Sequence, residues 1–166
     1  KDKNIRILGI DPGFGRIGFG VIEGSRDQWL VVSYGCIETD PKQSFIERII
    51  ELHTELKKII KRYKPSRAAV EELFFYKNVK TALQVGQARG VILLTLRQAG
   101  IPVDEFTPLE VKQALTGYGR AEKKQVQTMV QTLLKIKSKK IQDDAADALA
   151  VALTGGVSDR LKHLAK

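Results

Sequence analysis

The side chains of this 166-residue chain best suited to chemistry are carboxylates, and they stand at three separate points. Asp11 ends an apolar run, Ile7-Leu8-Gly9-Ile10, and is followed directly by Pro12-Gly13. Proline biases the residue before it toward extended backbone, and glycine accepts the positive φ of a sharp turn, so the stretch predicts a strand that ends by presenting one acid. Turn chemistry alone would favour Asp there. Glu71-Glu72 closes a second short apolar run, Ala68-Ala69-Val70, and Asp143-Asp144-Ala145-Ala146-Asp147-Ala148 opens a stretch of helical character. On a helix Asp144 and Asp147 are three residues apart and project from one face, while Asp143 points elsewhere, as a cap would. Adjacent strand residues face opposite sides of a sheet, so only one of Glu71 and Glu72 can share a site with Asp11. Val70 and Leu73 do not decide which.

Carboxylates gathered from separate segments repel one another unless cations neutralise them, and oxygen donors suit hard divalent ions, Mg²⁺ or Mn²⁺. Two such ions about 3.5–4 Å apart can activate a water and stabilise the leaving oxygen in phosphodiester hydrolysis. Other catalytic tools are scarce. His53 and His163 lie far apart in sequence, so neither a Ser-His-Asp triad nor a His-rich metal site is expected. The single Cys36 can form neither an internal disulfide nor a cysteine-based zinc site, and is expected to pack as a small apolar strand residue. A reducing, cytoplasmic setting fits.

Positioning these acids requires elements whose order can be read locally. Strands are expected over Ile5–Asp11, Arg16–Glu23 and Trp29–Thr39, joined by short turns as an antiparallel meander. Helical periodicity follows from Ser44 to Tyr63, carried by Ile46, Ile49, Ile50, Leu52, Leu56, Ile59 and Ile60 and stopped by Pro65. A fourth strand, Ser66–Leu73, precedes a helix over Asn78–Gln98, in which Gly86 and Gly90 share a face open to close approach. A fifth strand spans Val103–Phe106. Helices then cover Pro108–Leu115, Ala121–Leu134 and Gln142–Leu153. Gly155-Gly156 is expected to end the compact region, leaving one domain over 1–156 and a loose or weakly helical tail over 157–166. The order βββαβαβ followed by helices predicts an α/β fold, a mixed five-stranded sheet with helices on both faces.

Lys and Arg total 28 against 19 Asp and Glu, a net charge of +9 that points to a polyanionic partner. Between Lys112 and Lys140 eight residues are basic and one, Glu122, is acidic, which suits tracking of a phosphate backbone. No apolar run approaches the roughly 18 residues of a membrane span.

Several stretches carry a resemblance: IDPG at the first strand, VEELFFYKN at the fourth, GQARG in the next helix, then VKQALTGYGRAEKKQVQ and DDAADALAVAL. In order, from about Ile5 to Thr154, they resemble the RuvC family of bacterial Holliday-junction resolvases. The resemblance implies a ribonuclease-H-like fold, a homodimer, and symmetric nicking of four-way DNA junctions with divalent metal, in recombination and DNA repair. It implies two Mg²⁺ ions per active site, with Mn²⁺ able to substitute. It makes Asp11, Glu71 (the first acid of VEE), Asp144 and Asp147 the catalytic acids and metal ligands. Phe74 matches an aromatic that contacts DNA bases near the junction centre, where unpaired bases offer faces for stacking. Lys112 and Lys123 match lysines beside the cleaved strand, where they would bind phosphate or stabilise developing charge. The family works alongside the RuvA–RuvB branch-migration complex. One departure is Phe14, where many relatives carry a small hydroxyl residue after IDPG; this ring is expected to pack beneath the site or to meet DNA.

Three rivals remain at this stage. The opening hairpin also resembles that of the sugar-kinase and actin ATPases, but those need two such domains. The others are a non-catalytic branched-DNA-binding protein of the same fold and a nuclease acting on RNA–DNA hybrids or ordinary duplex. Cleavage of a synthetic junction separates them.

Overall fold

Alternation along the first strand sorts the chain into layers. A computed structural model describes residues 4–25, 28–72, 78–137 and 140–164. In strand β1 (Ile5–Asp11), Leu8 and Ile10 point to one face of the sheet and Ile7, Gly9 and Asp11 to the other. Leu8 and Ile10 join Val21, Ala68 and Val70 in a core covered by α1 (Phe45–Tyr63) and α2 (Val79–Gln98). Ile7 and Ala69 join a second core beneath α3 (Pro108–Thr116), α4 (Lys123–Leu133) and α5 (Asp143–Leu164).

The strands β2 (Arg16–Ser25), β3 (Gln28–Glu38), β4 (Arg67–Glu71) and β5 (Val103–Phe106) complete a sheet of order β3-β2-β1-β4-β5. β1, β2 and β3 form the antiparallel meander, while β4 and β5 run parallel to β1. This is the mixed five-stranded sheet with helices on both faces that the element order predicts. Local chemistry explains the helix ends. Ser44 and Glu47 form a reciprocal capping box at the start of α1, and Lys64 turns left-handed just before Pro65. Thr107 caps α3 in the same manner, ahead of Pro108.

Helix α5 lies almost backbone-to-backbone on the sheet. A Cβ added to Gly9 would stand 2.1 Å from the carbonyl oxygen of Ala148, and one on Gly18 would stand 1.9 Å from that of Asp144. Gly18 is paired across the ladder with Asp11, so the seat of the helix and the acid lie side by side.

Two local expectations are corrected. The last helix does not stop at Leu153 but runs through Gly155-Gly156 to Leu164. The pair serves close packing: a Cβ on Gly155 would be 3.1 Å from Ala69, and one on Gly156 would be 2.6 Å from the Trp29 ring. Gly13 does not adopt a positive φ. A Cβ there would stand 2.0 Å from the carbonyl oxygen of Arg16, so the turn needs its small size rather than its conformational range.

Candidate active site

Asp11 and Glu71 are the last residues of two adjacent parallel strands, β1 and β4. In β4, Ala69 packs toward α5 and Val70 toward α1 and α2. Alternation therefore turns Glu71 to the α5 side with Asp11 and leaves Glu72 out, which decides between the two acids. Helix α5 starts at Asp143 over the same strand ends and brings Asp144 and Asp147 to the pair.

The cluster is short of positive charge. Asp11 is pushed up to about 8, first by burial, then by the neighbouring Glu71, with Asp147 and Asp144 adding to it. The closeness of the two carboxyls acts in opposite senses, adding to the rise of Asp11 and opposing that of Glu71. Glu71 is also raised by burial, against the opposing pull of Asp11, Lys123 and Lys112. Burial likewise raises Asp147, with Lys123 pulling the other way.

Basic side chains stand around the acids. Lys123 Nζ is 3.2 Å from Asp147 and 3.3 Å from Asp143. Burial alone would lower its proton affinity, but Asp147 and Asp143 overcome that and raise it. Lys112 acts on Glu71 from α3. Arg16, which the sequence reading did not single out, places Nε 3.6 Å from Asp144. Its register position opposite Glu38 follows from strand pairing, but its contact with α5 carried no sequence signal. Asp143 is the first residue of α5 rather than its cap, and it accepts a hydrogen bond from Gln127 Nε2 at 3.1 Å.

Phe14 does not lie beneath the acids. Its ring stacks on Phe45 at 5.1 Å, with the Arg48 guanidinium 3.9 Å from its centroid, and so fastens the β1–β2 turn to the first turn of α1. Phe74 lies outside the described residues.

All four acids offer oxygen, as a hard divalent ion requires, and the raised Asp11–Glu71 pair marks an excess of negative charge at one spot. Among the described residues, no three His, Cys, Asp or Glu side chains are yet close enough to hold one ion together. The donor chemistry fits such an ion, around which the ligands would have to draw closer together.

Comparison with known proteins bears on this arrangement. The family described as "Crossover junction endodeoxyribonuclease RuvC" matches residues 7–155. The chain belongs to the RuvC family. A relative from a Roseiflexus species, named crossover junction endodeoxyribonuclease RuvC, is 54% identical over 148 residues, spanning 89% of this chain and 88% of its own. The protein of the same name from Petrotoga mobilis is 51% identical over 150 residues, spanning 90% and 92%. Among solved structures, that of T. thermophilus RuvC in complex with Holliday junction substrate superposes with a TM-score of 0.90 at 35% identity, covering 95% of this chain and 96% of that one. Matches of nearly full length on both sides leave the two-domain ATPase reading without support.

Proposed function

We propose that this RuvC-family chain is a structure-selective endodeoxyribonuclease that resolves four-way (Holliday) DNA junctions by paired nicking during recombination and repair. The observation that carries the reading is the convergence of acids from three separate segments, β1, β4 and α5, at one end of the sheet. Asp11, Glu71, Asp144 and Asp147 would hold two divalent ions, Mg²⁺ with Mn²⁺ as a substitute. Bound there, such ions supply activation of a water and stabilisation of the leaving oxygen. The chain's own part is to present the donors on rigid strand and helix ends. Lys123 and Lys112 flank the acids and are assigned to the phosphate of the cleaved strand. Phe74 is assigned to base contact at the junction centre on the strength of the resemblance.

A second copy of the chain belongs to this reading. Helix α2 exposes Val79, Leu83 and Leu94 at spacings that share one face with Gly90, and α1 exposes Ile46 and Ile50. A Cβ on Gly90 would meet nothing within 4 Å, so its small size serves no contact within the described part of one chain. We assign this face to a C2 homodimer, whose two sites would address symmetry-related strands. Docking with the RuvA–RuvB complex and a cytoplasmic location belong to the same proposal. No helix among the described residues is long and apolar enough to cross a membrane.

Incubation with a synthetic four-way junction and Mg²⁺, beside a linear duplex of the same sequence, tests the function. Symmetric, religatable nicks in the junction alone are expected. Tight junction binding without nicking in Mg²⁺ or Mn²⁺ would favour the non-catalytic, branched-DNA-binding alternative.

A further inference from the structure

The acids of α5 are met by basic side chains of the chain itself. Lys123 lies against Asp147 and Asp143, and Arg16 lies against Asp144. Arg16 opens β2 and is also held from the side, with Nη2 3.2 Å from Glu38, its cross-strand partner on β3. Its 3.6 Å approach to Asp144 is an ionic contact rather than a hydrogen bond, and about half of the side chain is exposed to solvent (52%). Ion pairs of this kind are weak and exchange readily. A guanidinium beside a carboxylate nevertheless competes with any cation that seeks the same oxygen. Its planar fork also matches a phosphate as well as it matches a carboxylate.

We propose that Arg16 is an exchangeable counter-ion: it neutralises Asp144 in the ion-free protein and passes to a phosphate of the bound DNA strand when a divalent ion takes Asp144. The inference rests on the assignment of Asp144 as a metal ligand under the proposed function. If the acids act on a DNA strand, a phosphate must come within reach of Asp144, and so of Arg16. Glu38 keeps the guanidinium at the strand end, so the transfer is a swing of one side chain. Ion binding then frees a phosphate ligand, and DNA binding removes a competitor for the ion. The two events strengthen each other by the same factor, as linkage requires.

Two binding measurements on the full chain, neither of them cleavage, test the exchange. Calorimetric titration of the DNA-free protein with Mn²⁺ should show Arg16→Gln binding the ion about two- to fivefold tighter than wild type, the range expected for loss of one exposed charge pair. A gain of affinity is a result that a misfolded variant cannot give. Fluorescence anisotropy with a labelled four-way junction, in EDTA and in Ca²⁺, should show a Ca²⁺-induced gain in junction affinity that is smaller in Arg16→Gln and restored in Arg16→Lys. Unchanged or weaker Mn²⁺ binding by Arg16→Gln, or an undiminished Ca²⁺ gain, would overturn the exchange. Asp144→Asn separates this from the underlying reading. If Asp144→Asn binds Mn²⁺ as wild type does, Asp144 is no metal ligand and the inference falls with that assignment. If it binds less while Arg16→Gln matches wild type, only the exchange is lost.

Discussion

The residue with the largest consequence is Asp11. Its carboxyl is displaced from 3.8 to about 8, so between those values the folded chain holds a proton that the unfolded chain has released. Stability of the ion-free protein must therefore fall as pH rises through that window, and the loss is complete above about pH 8. Thermal unfolding in EDTA should show a lower Tm at about pH 8 than at about pH 5, and Asp11→Asn should flatten that slope. A slope that survives in Asp11→Asn would place the proton on Glu71 or Asp147, which burial also raises. Divalent ions should reverse the loss, because they replace the bound proton as the source of positive charge. For Asp147→Asn the expected outcome is wild-type junction affinity in a gel-shift assay, with cleavage reduced by about a hundredfold or more. Wild-type cleavage by that variant would remove Asp147 from the site.

Helix α5 matters through where it sits. Its first turn carries the acids, and Gly9 and Gly18 let its backbone approach that of the sheet. Gly18→Ala would place a methyl 1.9 Å from the Asp144 carbonyl oxygen, which is backbone and cannot step aside as a flexible side chain can. A cost of about 1–3 kcal/mol in denaturant unfolding is expected for such overpacking. Cleavage should fall further than stability does, because lifting the helix moves Asp144 away from Asp11. Gly90→Ala provides the contrast, since its methyl enters open space on α2. That variant should gain up to about 1 kcal/mol from helix propensity within the single chain. A Gly18→Ala variant as stable as wild type would mean that the close seat of α5 does not constrain this position.

For the whole molecule, charge and symmetry govern. With a net charge of +9, junction affinity should fall steeply and linearly in a log–log plot against salt. The proposed dimer face is tested by Leu83→Glu, because Leu83 is 63% exposed on α2 and the exchange spares the core. Sedimentation velocity should report a monomer with an unchanged thermal transition. Its residual nicking should lose the pairing of cuts on opposite strands, since coordination requires two sites in one particle. A Leu83→Glu dimer would move the interface elsewhere.

The amino-acid sequence by itself determined the element order and the mixed sheet, because hydrophobic period, caps and turn residues act between near neighbours in the chain. It also determined that acids end two strands and that Asp144 and Asp147 share a helix face. Whether Glu71 or Glu72 joins Asp11 was open on periodicity alone, and the resemblance chose Glu71. The structure supplies the reason, since that choice depends on which face of the sheet α5 covers. Gly155-Gly156 reads locally as a break, yet the helix runs through it and the missing Cβ of Gly156 leaves room for Trp29, more than a hundred residues earlier. The contact of Arg16 with Asp144 and the rise of Asp11 beside Glu71 had no local signature at all. Both arise from charges that become neighbours only when β1, β2, β4 and α5 close on one another, and electrostatic energy depends on distance in space rather than along the chain.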